Sequence, residues 1–90
     1  SAVRAKHSKL QWTGTLVDLV ELLTSLQLAS CFNHGKATMK QIVRWAESEF
    51  GVNLEGYHIT FNEAARRKID RTKFLNRLMT VLINKMDSML

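Results

Sequence analysis

Apolar residues along this chain recur at helical spacing almost throughout. Leu16, Leu19, Val20, Leu23 and Leu26 keep the i, i+3, i+4, i+7 rhythm of a buried stripe and predict a first helix from Thr13 to Ala29. Thr15, with Asp18 three residues on, has the form of an N-terminal cap. Cys31 to Lys36 reads as a connector, because Asn33 and Gly35 tolerate left-handed backbone. Thr38-Met-Lys-Gln41 matches the capping box and opens a second helix, whose stripe is Met39, Ile42, Val43, Ala46 and Phe50. Gly51 supplies its stop. Asn53 then caps a third helix with Leu54, Tyr57, Phe61 and Ala65 inward and Ile59, Asn62, Glu63 and Arg66 outward. A last helix starts between Asp70 and Thr72, with Phe74 or Leu75, Leu78, Leu82, Met86 and Met89 as its stripe. Only Lys9 to Trp12 reads as a short strand, Leu10 and Trp12 pointing the same way. The pattern is four helices with short connections, and Leu19, Ile42, Phe61 and Leu78 are expected to be buried together.

Ninety residues make one domain. A hydrophobic content of 46% is too high for disorder, and the absence of proline lets the helices run on. Ser1 to Ser8 reads as a flexible arm or an expression remnant, and 9–90 as the folded domain. Asp18 and Glu21 interrupt the most apolar stretch, so no membrane helix is expected. The single cysteine rules out an internal disulfide and fits a reducing, cytoplasmic setting. Cys31 and His34 share a Cys-x-x-His spacing, but no second pair completes a zinc site. No base is placed to activate Cys31, and no glycine-rich phosphate loop is present. The chain is therefore expected not to be an enzyme, and to need no metal or other cofactor.

Charge placement narrows the choice. Glu63 to Arg77 holds six cations against two acids, and Ser1 to Lys9 holds Arg4, Lys6 and Lys9 with no acid. These two segments carry +4 and +3, so the rest of the chain is −2 within a total of +5. Such clustering suits a polyanion. Two amphipathic helices joined at Gly51 suggest a helix-turn-helix unit, whose second helix enters the major groove. The fit is partial. Glu47 stands where a small buried residue is usual, Thr60 where an apolar one is expected, and Phe61 falls one place late, so the turn is expected to be longer than the simplest form. On this reading Ile59, Asn62, Glu63 and Arg66 meet base edges: isoleucine at a thymine methyl, asparagine at adenine, arginine at guanine. Lys40, Arg44, Arg67, Lys68, Arg71 and Lys73 hold phosphates, helped by the N-terminus of the second helix. Trp45 lies off its helix's stripe and is expected to pack on the arm or the first helix.

Lys9-Leu-Gln-Trp-Thr-Gly14, the Leu-Val-Glu-Leu run after it, Phe32-Asn33 with Gly35, and Arg71-Thr-Lys-Phe-Leu75 resemble the C-terminal part of RteC-type proteins. These are regulators of excision carried on conjugative transposons of Bacteroides-type bacteria. The resemblance spans about Lys9 to Asp87. It implies a winged-helix type of DNA-binding domain, preceded in full-length members by a helical N-terminal domain, which activates excision genes from a site upstream of a promoter. One departure stands out. Only Lys68 to Arg71 separates the third and fourth helices, too short for a β-hairpin wing, so a wing is vestigial or involves Lys9 to Trp12.

Taken together, the expected fold is all-α: four helices, helix-turn-helix-like and winged-helix-related, with at most a vestigial strand near the N-terminus. The expected partner is double-stranded DNA, with the N-terminal helical domain of the same protein as a second. The alternative function is a helical protein–protein interaction module of a regulatory protein. The oligomeric state is left open.

Overall fold

The structure is a computed structural model that describes residues 10–90, so the arm and Lys9 lie outside the described residues. Among the described residues there are four α-helices: α1 (Leu16–Leu28), α2 (Met39–Phe50), α3 (Tyr57–Ala65) and α4 (Lys73–Ser88). A short 3-10 turn, Asn33–Gly35, lies between α1 and α2. No strand occurs among the described residues, and Leu10 to Trp12 is irregular. The domain is all-α.

α1 is the hub, packing against each of the other three helices. Leu19, Val20 and Leu23 of α1 are buried against Ile42, Val43 and Ala46 of α2, with Ala37 and Leu54 completing the core. The two helices begin as their sequences dictate. The Thr15 side chain accepts the Asp18 N–H at 3.1 Å. Thr38 and Gln41 exchange bonds, Gln41 N–H to Thr38 Oγ1 at 3.1 Å and Thr38 N–H to Gln41 Oε1 at 2.9 Å. Gly51 ends α2 in the left-handed region, at φ 63°.

A run of aromatic rings fastens the elements at one side. Trp12 meets Phe50 at 6.0 Å and Phe74 edge-on at 5.8 Å between ring centroids. Its indole N–H donates to the Thr15 carbonyl at 2.8 Å. Trp12 thus ties the approach to α1 to the end of α2 and the start of α4. Trp45 packs on Phe32 and Phe50, and its expected packing on the arm lies outside the described residues. At 100° per residue its ring leaves the stripe on the side facing the connector, where Phe32 offers the nearest apolar surface.

The later helices depart from expectation. Asn53 does not cap α3: its side chain accepts the Glu55 N–H at 2.8 Å, closing a local turn. The helix starts at Tyr57, after Gly56 at φ 79°. Leu54 is accordingly not helical, but fills the core from the turn. On α3 the half-buried positions are Tyr57, Thr60 and Ala64, whereas Phe61 is 39% exposed and Ala65 is exposed. The inward face of α3 is thus turned by roughly 70° from the expected one. Phe61 is therefore not a core residue beside Leu19 and Ile42, and Leu78 is only half-buried. Leu16, Leu82, Met86 and Met89 are exposed as well, because α1 reaches only the first part of α4 and the approach to α1 leaves Leu16 uncovered.

Candidate nucleic-acid interface

α2, the turn from Gly51 to Gly56 and α3 form the helix pair on which the site is built. The turn is long, as the misplaced Glu47 and Phe61 foretold. Glu47 answers for its own position: the Leu54 N–H donates to its Oε2 at 2.7 Å. A small residue there would leave that buried donor without a partner. Glu47 therefore shapes the turn that aims α3.

Ile59, Asn62, Glu63 and Arg66 are all exposed and fall within an arc of roughly 100° around α3. The rotation of the helix has a consequence for this face. The point opposite the half-buried positions lies between Asn62 and Arg66, so those two project most directly outward. Ile59, 65% exposed, stands to one side. His58 is exposed near the start of the same helix, its ring centroid 4.0 Å from that of Tyr57. Nothing in its spacing distinguished it.

The cations gather at both ends of this helix. Exposed Lys40 and Arg44 line a recess with Glu47, Gly56, Tyr57 and His58, beside the start of α3. Arg67, Lys68, Arg71 and Lys73 follow its end, in the turn to α4 and that helix's first position. α3 itself, nine residues at 1.5 Å each, is roughly 14 Å long. Lys68, Arg71 and Lys73 are exposed. Arg67 is half-buried, and its Nη1 donates to the Asp70 carbonyl at 3.4 Å, so it braces the turn as well. The capping box leaves fewer free N–H groups at the start of α2 than an uncapped helix offers, since Gln41 N–H is taken.

One residue that positions this face was missed altogether. Glu21 is buried on α1, and its carboxylate accepts the Leu75 N–H at 2.8 Å and the Phe74 N–H at 3.4 Å. These are first-turn donors of α4, which lacks a side-chain cap of its own. Glu21 therefore sets where α4, and with it the basic turn, meets α1. A signal was present: Val17 and Ser25 stand four residues either side of Glu21, so no cation on its own helix answers its charge.

Fold and site together define an all-α domain that presents a polar helix face between two groups of cations. The family model described as RteC protein matches residues 1–89, and the chain belongs to the RteC family. That family points to a regulator linked to excision of conjugative transposons. Comparison with curated proteins and with solved structures finds no match.

Proposed function

We propose that this chain is the DNA-binding domain of a transcriptional regulator, an activator of excision or transfer genes that works in the cytoplasm without catalysis or cofactor. The observation that carries the reading is the outward face of α3, with Asn62 and Arg66 opposite the core and cations flanking both ends of the helix. The length of α3, about 14 Å, is close to the ~12 Å width of the major groove, which supports cations at its two ends reaching phosphates on either side. Asn62 and Arg66 read base edges, with Ile59 and Glu63 beside them. Lys40, Arg44, Lys68, Arg71 and Lys73 hold phosphates, and Arg67 divides its guanidinium between the turn and the backbone of the duplex. Among the described residues no strand supplies a wing, so the helix pair and its flanking cations carry the binding.

Equilibrium binding to a cognate and a scrambled duplex over a salt series tests this. Asn62→Ala and Arg66→Ala are each expected to lose about 1–3 kcal/mol of discrimination between the two duplexes. Lys68→Ala, Arg71→Ala and Lys73→Ala are expected to weaken both alike and to shallow the salt slope by about 1. If the Asn62 and Arg66 variants bind both duplexes as the parent chain does, α3 is not the reader. The interaction-module alternative predicts weak binding throughout, unchanged by any of these substitutions.

A further inference from the structure

α4 extends beyond the part of it that α1 covers. From Met79 onward all its residues are exposed, the large apolar ones included. Met79, Leu82, Met86 and Met89 are 56, 55, 53 and 72% exposed. With half-buried Leu75 ahead of them, they are spaced 4, 3, 4 and 3 residues apart, the seam of a two-stranded coiled coil. Ile83 widens the seam on one edge, while Thr80, Asn84, Asp87 and Ser88 occupy the opposite face. Among the described residues nothing packs on the far half of this stripe.

We propose that the stripe is the dimer interface of this chain, α4 of one copy lying antiparallel on α4 of a second. Charge argues for a second copy. The chain carries +5, yet from Leu78 to Leu90 the only charged side chains are Lys85 and Asp87, which cancel. Two like-charged copies can therefore meet on this face without local repulsion. Charge also selects the direction. Parallel helices would set the two basic turns side by side, whereas antiparallel ones hold them at opposite ends. The register closes in that sense: Met79 layers on Met89 of the other copy, and Leu82 on its Met86, pairing first and fourth heptad positions throughout. The area is sufficient for a weak dimer. Five side chains about half exposed offer on the order of 400–500 Å² per copy, so the pair covers roughly 800–1,000 Å², near the lower limit of specific interfaces. Association in the range of ~10–100 μM is expected. The interface stands whether or not α3 reads DNA.

Sedimentation equilibrium of the chain without DNA, from about 5 to 500 μM at low and high salt, tests it. The expected result is a monomer–dimer equilibrium that high salt does not weaken, because the seam is apolar. Leu82→Gln combined with Met86→Gln is expected to weaken the dimer by roughly tenfold or more while leaving the melting temperature of the dilute monomer in place, since both side chains lie outside the core. Thr80→Ala with Asn84→Ala, on the other face, is expected to leave it unchanged. In a Cys31→Ser background, a mixture of Met79→Cys and Met89→Cys chains is expected to cross-link one to the other. A chain that stays monomeric at 500 μM, or a dimer that survives the double glutamine substitution, overturns the interface. Efficient cross-linking of Met79→Cys to itself overturns the antiparallel arrangement.

Discussion

Glu21 and Phe61 show how differently single residues sit in this small core. Glu21 gives its carboxylate to two backbone donors of α4 from a buried position on α1. Replacing it with alanine leaves those N–H groups unpaired, and hydrogen bonds to a charged acceptor contribute about 1.5–3 kcal/mol. Glu21→Ala is therefore expected to lower stability by about that amount in urea denaturation, and to speed amide exchange at Phe74 and Leu75. Glu21→Gln keeps one acceptor oxygen and is expected to recover part of the loss. Phe61 presents the opposite case. Deep burial of its ring would make Phe61→Ala cost about 3–5 kcal/mol. At 39% exposed it is expected to cost about 1–2 kcal/mol, less than Leu19→Ala, whose side chain is fully enclosed. Denaturation of the two variants side by side checks that order.

At the scale of elements, the α2–α3 turn decides which face of α3 is presented. Gly56 enters the helix at φ 79°, and a Cβ built there meets nothing within 4 Å. The cost of a side chain is thus conformational and not steric, about 1–2 kcal/mol for alanine in the left-handed region. Gly56→Ala is expected to destabilise the domain by that amount and Gly56→Asn by less, as asparagine tolerates this conformation. Glu47→Ala is expected to loosen the same turn by freeing the Leu54 N–H. On the proposed reading, it weakens sequence discrimination more than overall affinity, because it re-aims Asn62 and Arg66 while leaving the cations in place. Binding of this variant to cognate and scrambled duplexes measures the two effects separately.

For the whole molecule, the uneven distribution of charge and burial sets the expected behaviour. The core draws its buried side chains from α1, α2, Ala37 and Leu54, while α3 and α4 contribute none that are fully buried. The outer two helices are expected to show lower amide protection than α1 and α2, with α4 gaining protection as the chain is concentrated. Zinc or a chelator is expected to leave the melting temperature unchanged, since Cys31 and His34 lack further ligands in the sequence. A reproducible shift of several degrees on adding zinc contradicts that expectation.

Local chemistry made much of this legible without coordinates. The caps at Thr15 and Thr38, the stop at Gly51 and the stripes of α1 and α2 depend on residues within a few positions of one another. The exposed positions on α3 and the basic turn could be named from spacing and charge for the same reason. The start and roll of α3 could not, because Glu47, seven residues before Leu54, takes the Leu54 N–H while Asn53 closes a local turn on Glu55. The role of Glu21 lay further off, in donors more than fifty residues along the chain. The stripe of α4 was visible as a stripe, but periodicity reports only that a face is apolar. What covers that face depends on which helices come alongside. In this fold the half-buried residues of α4 are confined to its first turns, and the described residues leave the remainder of the stripe uncovered.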